Sequence, residues 1–106
     1  MYYTYLLRCG DGSLYAGITT DPARRLAEHE KGGKRGARYT LYRTPLSMVA
    51  VWESENRSLA SKLEALLKKA KHPVKEKIAA APELLETLLK LPADGTYRRT
   101  KPPEEK

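Results

Sequence analysis

The chain has 106 residues, room for one domain with its own core, and 41% hydrophobic with 31% charged residues excludes a disordered or membrane-embedded class. A formal net charge of +7 points toward polyanionic partners, above all nucleic acid. A single cysteine, Cys9, excludes an internal disulfide, and no run approaches the ~18 apolar residues of a membrane span.

The opening Met1-Tyr2-Tyr3-Thr4-Tyr5 lacks a basic region followed by an apolar stretch, so a cytoplasmic protein with no membrane partner is expected. Residues 2–8 are aromatic-rich and predict a strand. Gly10-Asp11-Gly12 is a turn signal, and residues 13–19 predict a second strand that closes a hairpin. Asp21 is the expected N-cap and Pro22 the first position of a helix that runs to about Glu30, where Gly32-Gly33 ends it. Ala23, Leu26 and Ala27 are its expected docking face. After Pro45, the apolar run Leu46–Trp52 predicts a third strand buried on both faces. Ser58 is the expected cap of a helix over 59–71, with Leu59, Leu63, Leu66, Leu67 and Ala70 as its core stripe. His72 is read as a turn residue and Cys9 as a strand-end residue. Pro73 opens a short helix that turns Val74 and Ile78 inward, and Pro82 opens a last one through Leu84, Leu85, Leu88 and Leu89.

The order β-β-α-β-α-α-α predicts a small α/β (α+β) domain with a three-stranded antiparallel sheet flanked by helices. Residues 1–91 form the expected domain. Residues 92–106, basic and proline-containing, are expected to be a mobile tail.

Hairpin geometry brings chemistry-bearing residues together. With a three-residue loop Gly10–Gly12, Cys9 faces Ser13 and Tyr5 faces Gly17. Tyr15 then shares the sheet face of Tyr5. Gly17, lacking a side chain, leaves room over Tyr5 for a ligand or backbone. Arg25 and His29, four residues apart, share a helix face, expected at the edge of the helix–sheet interface. Glu64 borders the leucine stripe of the later helix, where an ion pair with Lys68 is the simple structural alternative. From Lys31 to Arg43 five cations (Lys31, Lys34, Arg35, Arg38, Arg43) occur without a negative residue, interleaved with Tyr39 and Tyr42. Such a segment suits a phosphate-tracking surface, so Lys31, Lys34, Arg35, Arg38, Tyr39 and Arg43 are the expected nucleic-acid contacts.

Tyr3-Thr4-Tyr5, ten residues to Tyr15-Ala16-Gly17, then Arg25 and His29, and finally Ala60–Glu64, together resemble the signature of the GIY-YIG nuclease superfamily. The style of Leu6-Leu7-Arg8-Cys9 and Leu14 through Asp21 is similar to its small stand-alone bacterial members of the YhbQ type. The resemblance covers residues 2–70. The first motif reads Tyr-Thr-Tyr where the family has Gly-Ile-Tyr, and the second Tyr-Ala-Gly where it has Tyr-Ile-Gly; both keep the tyrosine.

The resemblance implies a metal-dependent endonuclease hydrolysing phosphodiester bonds in DNA, with branched, nicked or damaged DNA as the substrate class and DNA repair as the setting. It implies Tyr5, Tyr15, Arg25, His29 and Glu64 as catalytic residues. Glu64 would hold one Mg²⁺ or Mn²⁺, Arg25 would grip the scissile phosphate, and Tyr5 would take a proton from water with a neighbouring guanidinium and neutral His29 assisting. Tyr5 and Tyr15 are interchangeable in these duties on sequence grounds. No appended DNA-binding domain is visible, so a protein partner supplying specificity is an open expectation. A nucleic-acid-binding module with little intrinsic cleavage is the alternative, and an RNA-associated basic protein a third reading.

Overall fold

The computed structural model describes residues 1–31 and 46–103. In chain order they form β1 (Tyr2–Arg8), β2 (Leu14–Thr19), α1 (Pro22–Lys31), β3 (Ser47–Ser54), α2 (Arg57–Lys69), α3 (His72–Ala80), a single 3₁₀ turn (Pro82–Leu84), α4 (Leu85–Leu89) and β4 (Arg98–Thr100). The sheet is antiparallel, in the order β2-β1-β3-β4. This is an α+β architecture, with four strands where three were expected.

The fourth strand falls in the segment expected as a tail. Tyr97 is buried, and its hydroxyl donates to the Leu59 carbonyl at 2.7 Å. Arg98, Arg99 and Thr100 then pair with Glu53, Trp52 and Val51. A three-residue strand amid prolines and charges has no usable hydrophobic period, so its pairing is a tertiary effect.

β1 and β2 close around Gly10–Gly12 in the expected register. Cys9 N–H donates to Ser13 O at 2.9 Å, and Tyr5 faces Gly17. Gly12 has φ +85°, the left-handed position such a three-residue hairpin loop requires. β1 and β3 are the inner strands, buried on both faces. Their register shifts by one residue between Leu6 and Leu7. This bulge lets Met48 join Val51 on one face while Ala50 and Trp52 point to the other, as simple alternation would not allow.

Two packed layers result. On one face, Leu6, Ala16, Ala50 and Trp52 meet Leu63, Leu67, Ile78, Leu85 and Tyr97. On the other, Tyr5, Leu7, Cys9, Leu46, Met48 and Val51 meet Leu26 of α1. Only Leu26 of the expected α1 docking face is buried; Ala23 and Ala27 are exposed. The second inward α1 residue is His29, fully buried rather than at the edge. An imidazole thus replaces the apolar side chain expected at i+3 from Leu26.

Caps set the helix starts. Asp21 Oδ1 accepts from Arg24 N–H at 3.1 Å, as expected. For α2 the cap is Asn56, not Ser58: its Oδ1 accepts from Leu59 N–H at 2.9 Å, so the helix begins at Arg57. His72 is the first residue of α3 and not a turn residue. Leu84 is exposed and contributes nothing to the core.

Candidate active site

The site grows from a missing side chain. Gly17 lies on edge strand β2 directly opposite Tyr5. A Cβ at Gly17 would fall 2.5 Å from Tyr5 Cζ and against Tyr5 Oη. The space over Gly17 is therefore filled by the Tyr5 ring itself, not left for a ligand as the sequence suggested. The ring crosses the strand, and its hydroxyl lies 2.8 Å from His29 Nε2. His29 stacks edge-on against both tyrosines, with ring centroids 5.7 Å from Tyr5 and 5.6 Å from Tyr15. One imidazole buried at the inner face of α1 therefore ties the hairpin's two phenols together.

Burial decides the protonation of this pair. It is the largest influence on His29 and, with the positive Arg25 nearby, lowers the imidazole to about 4. His29 is neutral at pH 7. Burial also pushes the Tyr5 phenol up to about 12; a hydrogen bond from Arg25 and its positive charge work against the rise, while Tyr15 and Glu64 add to it. The guanidinium expected to favour phenolate is thus in place but is outweighed. At pH 7 about one Tyr5 in a hundred thousand would be ionised. Both partners of this hydrogen bond are therefore neutral at pH 7.

Two charged side chains rim this aromatic floor. Arg25 reaches the Tyr5 hydroxyl, and its Nη1 also pairs with Glu28 Oε1 at 3.2 Å. Burial alone would lower the guanidinium, but Tyr5 and Glu28 together raise it, so it stays charged. Glu64 arrives from α2, which packs mainly on the opposite face of the sheet. The helix is held where Thr4 Oγ1 of β1 donates to the Ala60 carbonyl at 3.1 Å, one turn before Glu64. Glu64 acts electrostatically on Tyr5, and its Oε2 lies 3.5 Å from Lys68 Nζ. That ammonium stands 5.8 Å from the centre of the Tyr15 ring. The five residues singled out from the sequence thus converge around the β1–β2 hairpin.

The GIY-YIG catalytic domain profile matches residues 1–78. The chain belongs to the GIY-YIG family. Similar proteins carry the name UPF0213. One from Streptococcus pneumoniae is 46% identical over 74 residues, covering 70% of this chain and 73% of the relative. One from Yersinia pestis is 44% identical over 89 residues, covering 83% and 92%. The solved structure of the UPF0213 protein BH0048 from Bacillus halodurans is 34% identical, covering 87% of this chain and all of that one, with a TM-score of 0.49.

Within this GIY-YIG domain the donor set limits which cofactor could be held. Among the described residues no cluster of three His, Cys, Asp or Glu could cage a metal ion. Glu64, with a quarter of its side chain exposed, offers a single carboxylate. That fits a hard, hydrated ion such as Mg²⁺ or Mn²⁺, which accepts one carboxylate and keeps waters and substrate oxygens. It does not fit zinc, which takes several nitrogen or sulfur ligands.

Of the expected nucleic-acid contacts, Lys31 is the exposed last residue of α1. Lys34, Arg35, Arg38, Tyr39 and Arg43 lie outside the described residues. Sequence reasoning missed the place of Lys68 on the Tyr15 ring. Its spacing from Glu64 announced a helical pair, but nothing in the spacing reveals that this face of α2 meets the sheet edge. Among the described residues no helix is long and apolar enough to cross a membrane.

Proposed function

We propose that this chain is a metal-dependent endonuclease that hydrolyses phosphodiester bonds in DNA. The observation that carries the reading is the convergence, on one sheet edge, of a charged guanidinium and a carboxylate from opposite layers over a floor of two phenols and a neutral imidazole.

In this reading the scissile phosphate lies between Arg25 and Glu64. The Arg25 fork binds its oxygens and stabilises charge in the transition state. Glu64 would hold one Mg²⁺ or Mn²⁺. Such an ion, when bound, supplies positive charge at the phosphoryl and leaving oxygens. Tyr5 and His29 form a neutral, buried pair that fixes the hydroxyl beside Arg25. Tyr15, partly exposed, is the phenol that meets solvent. We therefore assign the water-facing duty to Tyr15 and the positioning duty to Tyr5. The water oxygen forms the new bond to phosphorus as the bond to the departing sugar oxygen breaks; the water gives up one proton to solvent and the sugar oxygen takes one up, so the products are a phosphomonoester and a free hydroxyl. The basic segment Lys31–Arg43 would track the flanking backbone, and branched, nicked or damaged DNA is the proposed substrate class.

A nicking assay tests the reading. Supercoiled, nicked and branched DNA are incubated with the chain and Mg²⁺, Mn²⁺ or EDTA. Cleavage is expected only with metal, and Glu64→Ala and Arg25→Ala should each lower it by at least ~100-fold while DNA binding persists. Metal-independent cleavage, or cleavage retained in both variants, would overturn the proposal. Binding without cleavage under every condition would leave a nucleic-acid-binding module.

A further inference from the structure

Each of the two charges assigned to chemistry is neutralised by a neighbour on its own helix: Arg25 by Glu28 and Glu64 by Lys68. The second pair has a feature that an ordinary i,i+4 pair lacks. Lys68 Nζ lies 3.5 Å from Glu64 Oε2 and also over the Tyr15 ring, 5.8 Å from its centre. A carboxylate and an electron-rich ring face thus both act on one cation. Half of the Lys68 side chain remains exposed, so its long stem can swing into solvent without disturbing the core.

We propose that the Lys68 ammonium is a resident place-holder, occupying the cation position at Glu64 in the ligand-free enzyme and competing directly with the divalent ion for that carboxylate. The inference rests on the assignment of Glu64 as metal ligand. An ammonium and a hydrated divalent ion drawn to the same carboxylate repel each other, so entry of the ion works against the Lys68 contact. The Glu64–Lys68 pair is charge-balanced, and binding the ion requires a metal concentration high enough to win the exchange. Lys68 is a positioning residue in this scheme, and its effect falls on metal affinity.

The test is Mn²⁺ binding to the DNA-free full-length chain at constant ionic strength, with free ion read by electron paramagnetic resonance. Lys68→Met and Lys68→Gln should each bind Mn²⁺ about threefold to tenfold more tightly than wild type. Lys68→Arg, which restores a cation, should stay within about twofold of wild type. Glu64→Gln should abolish the site in every background. Unchanged or weaker binding in both neutral variants, with Glu64 still required, would overturn the place-holder while leaving the metal assignment standing. Tightening in Lys68→Arg equal to that in Lys68→Met would also overturn it, because charge would not be the cause. Absence of any Glu64-dependent Mn²⁺ binding would remove both the place-holder and the metal reading beneath it.

Discussion

Gly17→Ala is the substitution in which packing and site geometry meet most sharply. The added Cβ would lie 2.5 Å from Tyr5 Cζ and 3.1 Å from Tyr5 Cε1. The ring cannot yield easily, since Tyr5 is 1% exposed and its hydroxyl is bonded to buried His29. Overpacking of this kind costs about 1–3 kcal/mol, and losing the Tyr5–His29 hydrogen bond adds about 1 kcal/mol. Alanine's lower backbone entropy in the unfolded chain returns ~0.5–1 kcal/mol. The net expectation is a loss of about 1–3.5 kcal/mol, at roughly 4–8 °C in Tm per kcal/mol for a domain of this size. Trp52, the only tryptophan and fully buried, reports unfolding in urea. A double-mutant cycle supplies the sharper test. With Tyr5→Leu the clash partner is gone, and Gly17→Ala should become neutral or slightly stabilising. With Tyr5→Phe the ring remains and so should most of the penalty. An equal loss in the Tyr5→Leu background, or no loss in wild type, would refute the claim that Gly17 exists to admit the Tyr5 ring.

Two further predictions come from the buried polar groups. His29 titrates near 6.5 in an unfolded chain and at about 4 in the fold. Between these values the unfolded chain binds the extra proton, so stability is full above 6.5 and falls as pH drops toward 4. The loss between pH 7 and 4.5 should be about 2–3 kcal/mol in urea titrations, and His29→Gln should flatten that limb; an unchanged slope would move the acid sensitivity elsewhere. Tyr97→Phe removes the hydroxyl that donates to the Leu59 carbonyl and should lower stability by about 1 kcal/mol, whereas a change below ~0.3 kcal/mol would show that the segment before β4 contributes little to holding α2.

Most of the fold was legible because its signals are local. Gly10–Gly12 closes the hairpin in the register that puts Tyr5 opposite Gly17, and Asp21 and the leucine stripe of α2 place two helices. What escaped was non-local. β4 is a strand only because Glu53, Trp52 and Val51 offer partners. α4 ends on Lys90 at φ 56°, where glycine would be the usual signal, so its shortness was not visible. That these side chains meet at the hairpin was legible by spacing and resemblance, but their electrostatics were not. That burial outweighs Arg25 at the Tyr5 phenol depends on how deeply the ring sinks over Gly17. Likewise Lys68 reaches Tyr15 because tertiary packing seats α2 across the sheet, with Leu63 and Leu67 in the core and the Ala60 carbonyl bonded to Thr4.

The most direct test of the account is a crystal structure of the chain with a DNA duplex and Mn²⁺, in which anomalous scattering locates the metal independently of the refined atoms. The manganese peak is expected beside the Glu64 carboxylate, with a backbone phosphate between it and the Arg25 guanidinium and the Tyr15 hydroxyl facing that phosphate. DNA seated on the α3–α4 side of the sheet, or manganese bound away from Glu64, would contradict it.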